Sequence, residues 1–451
     1  MKTQTRSPWS RGDKLLVIVP VVLVALACGL FFWNRAANTL PASMPPPHPM
    51  PAVNARDYYI AATNALVDNN KIEYAVSPWN PHGLHGIGSS PDDHFYSLAA
   101  KEKLVTENAP ALSLLHQGFQ FPYQDPPVLS FSATFPHLYK MRQLARFLSL
   151  DGQVKAAHGD WSGAVSADLD AVQFGETLPH GGPLIGLLVG VGCQSIGRKH
   201  AWEAVPHLSG LEAQAAARRL ESIRTDHVPL ADTLREEKRG TQASLRELMA
   251  RPDWSHTLAP AIGGTTSANS PAWAQQGFSA YLQLLGKRRI LATNAQWMDQ
   301  AITQVRQPYA AHPAPPPLPK DLVSQILLPV YSRVRLYEVS SDTQNALLVT
   351  MLALQAYQQD HRAYPATLAA LVPGYLKAVP PDPFALSGPL RYKLVGAKYV
   401  LYSVGPDGKD DGGKAIFDTT QPAPSPTDTG DRRRWMQENS VGDVVAGVNV
   451  T

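Results

Sequence analysis

The sequence predicts a mainly α-helical protein: an N-terminal single transmembrane helix, an α-helical extracytoplasmic domain and a small C-terminal α+β module with a β-hairpin. Three observations carry this. Leu15 to Trp33 holds no charged residue; apolar residues recur mostly at helical spacing from Phe95 to Val305; and beyond Pro319 a helix gives way to a proline corner and two alternating runs. At 451 residues the chain has room for two or three domains of about 150 residues each. A hydrophobic content of 44% allows a sizeable core. Lys+Arg 40 against Asp+Glu 37 gives a net charge of +3, and with no basic patch interleaved with aromatics nucleic acid is not an expected partner.

The N-terminal run comes first. About twenty apolar residues suffice to cross a bilayer as a helix. Lys2, Arg6, Arg11 and Lys14 precede it, so the positive-inside rule leaves the N-terminus in the cytoplasm and the chain after Arg35 outside it. Trp33 falls at the outer interface. The run exceeds the about 7–15 residues of a signal-peptide core, which favours an uncleaved anchor in a bacterial cytoplasmic membrane. A cleaved or lipidated signal ending near Cys28 is the alternative. Cys28 and Cys193 cannot pair if the anchor stays, and Cys193 reads as a small core residue.

The expected organisation follows. Residues 1–35 are the basic end and anchor, and 36–52, with Pro45-Pro46-Pro47, a semi-rigid spacer. Residues 53–306 form the helical domain, 307–319 a proline-rich linker, 320–418 the α+β module and 419–451 a mostly flexible tail. Within the helical domain the periodicity predicts helices at Ala55–Val67, Ser97–Val105, Ala109–Gln117, Pro136–Leu150, Gln153–Ala157 and Ser162–Thr177. Lys155 to Ala164 resembles the turn of a tetratricopeptide hairpin, but nothing recurs at the 34-residue period of such arrays. Leu184 to Val191 is too short to span a membrane; Gly186 and Gly190, four apart, suit a buried helix at a close helix–helix contact. Leu211 to Met249 reads as an exposed charged helix interrupted at Pro229, and Phe278 to Val305 as one further helix.

In the module, Leu347, Leu348, Met351, Leu352, Leu354 and Tyr357 make a wide apolar helix face from about Gln344. Tyr364-Pro365 restarts the chain into a short helix marked by Leu368, Leu371 and Val372, and Val379 to Phe384 is an extended proline corner. Leu390, Tyr392 and Leu394 alternate with Arg391 and Lys393; Gly396-Ala397 suits a type II′ turn, and Lys398 to Val404 returns. Asp443 to Val450 reads as a short edge strand.

In their order, Ala356-Tyr357, Tyr364-Pro365, Leu368, Leu371, Asp382-Pro383, Tyr392, Tyr402-Ser403-Val404-Gly405 and Asp407-Gly408 resemble the globular end of the major pseudopilin of type II secretion systems. The likeness covers roughly the last quarter of the chain. It implies a link to secretion and a loop after the last strand that binds calcium, here through Asp407, Asp410 and Asp411. The N-terminus departs from that family: Gly12 is followed by Asp13, and Val17 stands where the family has a glutamate. Assembly into a fibre by leader processing is therefore not expected.

The residues themselves offer two candidate metal sites. Asp407, Asp410 and Asp411 lie among turn-forming glycines and supply the hard oxygens Ca²⁺ prefers, although Lys409 occupies a ligand position of the EF-hand pattern; the plain alternative is a solvated Asp-Gly turn. His82, His85, Asp92, Asp93 and His94 form a loop cluster with zinc-like spacing but without the helical His-Glu-x-x-His pattern. Gly192 to His200 lacks the Lys-Ser/Thr pair of a phosphate-binding loop. No catalytic motif emerges. The expected function is a structural or interaction protein of the bacterial envelope, its helical domain offering a groove to a protein partner and its module a docking cap. The alternative is a membrane-tethered metal-dependent hydrolase working through the His82–His94 loop.

Overall fold

The computed structural model describes residues 11–40, 48–76, 97–130, 133–262, 272–328, 331–416 and 436–448. The uncharged N-terminal run lies in α1 (Arg11–Asn38), with Pro20 inside it. Val19–Asn38 has a mean hydropathy of 1.7 and none of it is buried, so this helix is long and apolar enough to cross a membrane; a signal sequence has the same properties.

Short helices follow. The periodicity predicts α2 (Ala55–Ala65), α4 (Leu98–Glu107) and α5 (Ala109–Gly118), while α3 (Asn69–Val76) is a helix it does not mark. The two pieces predicted between Pro136 and Ala157 are one helix, α6 (Pro136–Ala157). Gly152 inside it lets α6 come close to the next helix, where a Cβ would lie 3.2 Å from the backbone oxygen of Ala164 and from Asp168. Asp160 caps that helix, α7 (Trp161–Thr177), by accepting from Gly163 N at 2.8 Å. The α6–α7 hairpin therefore forms where the tetratricopeptide-like turn was read.

Gly186 and Gly190 lie in α8 (Leu184–Ala204), which packs extensively on α7. The backbones meet at glycines: a Cβ on Gly175 of α7 would sit 2.5 Å from the Gly190 carbonyl oxygen. Pro229 separates α9 (Gly210–Arg224) from α10 (Leu230–Met249). Next come α11 (Trp254–Ile262), α12 (Ala272–Leu285) and α13 (Lys287–Val305). Gly286 breaks the single helix predicted over Phe278–Val305, at a positive φ of 82°.

After the short α14 (Leu322–Ile326), α15 runs from Ser332 to His361, starting well ahead of the predicted Gln344. A 3-10 turn at Leu368–Leu371 stands where a short helix was expected. The hairpin is as predicted: β1 (Arg391–Val395) pairs antiparallel with β2 (Lys398–Ser403) around Gly396, whose φ is 61°. Leu390 is buried and Tyr392 half-buried, but Leu394 at the tip is exposed. The edge strand is the two-residue β3 (Val444–Val445) on β2.

One continuous cluster of buried apolar residues joins the module to the helices. It holds Leu169, Trp202 and Leu220 together with Leu348, Leu352, Phe384, Leu401 and Val444. The predicted linker at 307–319 is thus not a gap in the packing, because α15 rests on α9 and α8. A second cluster centres on Tyr59, Phe147 and Phe174, a third on α8, α10 and α13, and a fourth on α10 to α13 around Trp254 and Leu282.

Candidate functional site

The three predicted calcium ligands share one loop, opened by β2 and shaped by Gly405, Gly408, Gly412 and Gly413, all at positive φ. Asp407 Oδ1 accepts from Lys409 N at 3.2 Å. Asp410 Oδ1 accepts from Gly412 N at 2.9 Å and from the Tyr402 hydroxyl at 3.0 Å, and its Oδ2 lies 3.5 Å from Arg391 Nε. Asp411 is exposed and engages the fold through its backbone N–H, which donates to Asp443 Oδ1 at 3.3 Å. Among the described residues no three His, Cys, Asp or Glu side chains are placed to share one ion. An ion here would have to draw Asp410 away from Arg391 and Tyr402. His82, His85, Asp92, Asp93 and His94 lie outside the described residues.

The loop is organised by a carboxylate that sequence analysis placed only in an edge strand. Asp443 is fully buried and accepts from Asp411 N and, at 2.6 Å, from Gly413 N. Burial pushes its carboxyl up, and the two backbone N–H groups oppose that. Asp382, of the Asp-Pro corner, does the same beneath the other end of the loop. It accepts from Ser403 Oγ at 2.5 Å, Val404 N at 3.0 Å and Phe384 N at 3.1 Å.

A buried polar network lies between α7, α8 and α15. Arg198 is 3% exposed, and its Nη1 donates to Gln194 Oε1, Ser341 Oγ and Asn345 Oδ1 at 3.0–3.1 Å. Burial pulls Arg198 down to about 10, against the opposing pull of Glu176 and Asp342. Asn345 Nδ2 reaches Glu176 Oε1 at 3.2 Å. Glu176 Oε2 lies 3.4 Å from His227 Nδ1, and His227 Nε2 lies 3.6 Å from Glu338 Oε1. Glu338 in turn accepts from Leu230 N at 2.5 Å and so caps α10.

Burial disfavours the His227 imidazolium, but hydrogen bonds with Glu176 and Glu338 outweigh it and push the pKa up to about 10. A histidine charged at neutral pH between two carboxylates is an electrostatic pin rather than a general base. The cavity beside it, about 10 Å³, has no room for a substrate. His227→Gln should cost about 1.5–3 kcal/mol, as lost charged hydrogen bonds do. The folded-state pKa lies above the ordinary 6.5, so this stabilisation is complete below pH 6.5 and vanishes as pH rises through about 10. The gap in unfolding free energy between wild type and variant, followed across that window, checks the assignment. A gap independent of pH would refute it.

A charged opening lies between α10 and α13. The two helices run antiparallel, since Gln242 Nε2 donates to Leu291 O at 3.0 Å while Lys238 Nζ reaches Asp299 at 2.7 Å. Their cleft, about 570 Å³, is lined by Arg235, Lys238, Arg239, Gln242 and Arg246 from one side and Asp299, Thr303 and Arg306 from the other. Asp299 is the only acid in that lining, although Asp232 and Glu236 on the flank pair with Arg235 and Arg239. Positions 235, 238, 239, 242 and 246 recur at helical spacing, a signal present in the charged Leu211–Met249 run, which taken alone is also the pattern of a solvated face.

Comparison with protein-family models, curated proteins and solved structures finds no match to this chain.

Proposed function

We propose that this chain is a membrane-anchored, extracytoplasmic interaction protein of the bacterial envelope, oriented with its N-terminus inside and tied to secretion by its pseudopilin-like module. The α10–α13 cleft is its receiving surface, and the partner presents an acidic, extended segment. The observation that carries this is the charge of the lining, with Arg235, Lys238, Arg239, Arg246 and Arg306 facing one opening. Asp299, Asp232 and Glu236 pair with three of these cations, so the lining keeps a net positive balance that attracts an anionic occupant, an attraction that salt screens.

The test is fluorescence anisotropy of labelled oligoglutamate, with an uncharged peptide of equal length as control, on the full chain in nanodiscs. Oligoglutamate should bind, binding should weaken as salt rises, and Arg235→Glu with Arg306→Glu should weaken it at least about tenfold, or 1.4 kcal/mol. Equal binding of the uncharged peptide, or an unmoved variant, rejects the cleft as the receiving surface.

The same reading gives the loop a structural Ca²⁺ held by Asp407, Asp410 and Asp411. At a hundredfold excess over its Kd, calcium should stabilise the fold by about 2.7 kcal/mol. The gain should disappear in Asp407→Ala. An unfolding temperature indifferent to calcium would leave an Asp-Gly turn and nothing more.

A further inference from the structure

The last turn of α1 docks on the junction of α12 and α13. Asn38 Nδ2 donates to Gln283 O at 3.1 Å, a Cβ on Gly286 would meet the Ala37 methyl at 2.9 Å, and Leu40 packs into the cluster around Trp254 and Leu282. If α1 spans the bilayer, Trp33 and Arg35 mark its outer boundary, and Gln283 then lies within about a turn or two of the headgroups, at 1.5 Å per residue.

The composition of α12 fits that place. It contains no charged residue. Its inner face, with Ser279 and Leu282 buried and Phe278 and Leu285 half-buried, packs on its neighbours. Its outer face carries an apolar stripe, flanked on one side by exposed Gln276 and Gln283: Trp273 is 75% exposed, Tyr281 38% and Leu284 62%, with exposed Gly277 and Ala280 between them. Positions 273, 277, 280, 281 and 284 form one stripe at helical spacing. A contiguous exposed apolar stripe on a helix whose other face is already packed marks a contact site. Immediately after it come Arg288 and Arg289, both exposed. Trp and Tyr on a stripe beside basic residues are what the boundary between headgroups and acyl chains selects.

We propose that α12 is a second membrane-contacting element, lying along the outer leaflet with Trp273, Tyr281 and Leu284 in the headgroup–acyl boundary and Arg288 and Arg289 at anionic headgroups. The anchor then holds the helical domain through a surface rather than a single tether. This rests on the membrane-anchor reading of α1.

The experiment is nitroxide depth measurement on the full chain with Cys28→Ser, reconstituted in vesicles of phosphatidylcholine and phosphatidylglycerol. Single labels go on Ala280→Cys, on Leu26→Cys inside α1, and on Glu247→Cys as a water-exposed reference. The ratio of oxygen to nickel-chelate collision rates reports depth. At Ala280 it should exceed the Glu247 ratio by about threefold or more and stay below that of Leu26, as an interfacial position requires. Trp273→Ser with Leu284→Ser should return it toward the Glu247 value. A water-like Ala280 beside a bilayer-like Leu26 overturns this inference and leaves the anchor standing. A water-like Leu26 overturns both. An Ala280 label shielded from both agents means that protein, a partner or a second copy, covers α12, and overturns it as well.

Discussion

Gly190→Ala should destabilise the fold by about 3 kcal/mol or more, whereas Gly192→Ala, two residues along the same helix, should stabilise it by about 0.5–1 kcal/mol. The opposite signs come from what each new methyl meets. At Gly190 it would be driven onto the carbonyl oxygen of Gly175, and at Gly175 the reciprocal methyl would meet Gly190 O at 2.5 Å. Both obstacles are backbone, so no rotamer change relieves them, and α7 and α8 must separate. That separation opens the cluster around Phe174 and Cys193 on one side and the Glu176–Gln194–Asn345 network on the other. At Gly192 the nearest atom is Arg142 Nε, 3.9 Å away, so only the helical advantage of alanine remains. Denaturant unfolding of the two variants checks both signs. Equal effects would mean that the helices do not cross through these glycines.

The crossing was half legible. Gly186 and Gly190 announced a close contact because small residues four apart on an apolar helix have few other uses. Gly175, the partner of Gly190, is separated from it by a turn, and nothing local marks it. The same asymmetry explains the start of α15. Arg335, Ser341, Gln344 and Asn345 are polar, so periodicity treats the stretch before Leu347 as the outside of a helix or as no helix. Ser341 and Asn345 are buried because their partners, Arg198, Gln194 and Glu176, come from α7 and α8, more than a hundred residues away, and Arg335 donates to the Gln307 carbonyl oxygen. The hairpin depends only on alternation and a glycine at a positive-φ turn, both local, and it lies where expected, each strand end within one residue. The break at Gly286 was missed because one glycine within an apolar run costs a helix only about 1 kcal/mol. The break is a positive φ at Gly286, and the close approach of Ala37 from α1 leaves no room there for a Cβ, a contact no local window contains. The aspartate loop shows the limit most plainly. Its visible acids, Asp407, Asp410 and Asp411, are the solvent-facing ones, while the carboxylate that holds it is Asp443, about 30 residues on.

Asp382→Ala should cost about 3–5 kcal/mol, locally rather than across the whole chain, because it removes the acceptor that three buried donors share. Oδ1 takes the Ser403 hydroxyl and the Phe384 N–H, and Oδ2 takes the Val404 N–H. With alanine there, Val404 N–H and Phe384 N–H are left in a site closed by Phe384 and Leu401, too tight for water to replace a carboxylate. Asp382→Asn should be only a partial rescue. Its oxygen can keep Ser403 and Phe384, but its amide nitrogen then faces the Val404 N–H, donor against donor, so about 1–3 kcal/mol of the loss remains. Glutamate carries the right charge on a stem one methylene too long for a corner fixed by Pro381 and Pro383. Hydrogen exchange resolves the expected pattern. Amides from Phe384 to Gly405 should lose protection in Asp382→Ala while those of α6 and α8 keep theirs, since the packing of α6 on α8 does not pass through the corner. Uniform loss of protection would mean instead that the Asp-Pro corner holds the helical core as well, and that the module is not a separately breathing unit.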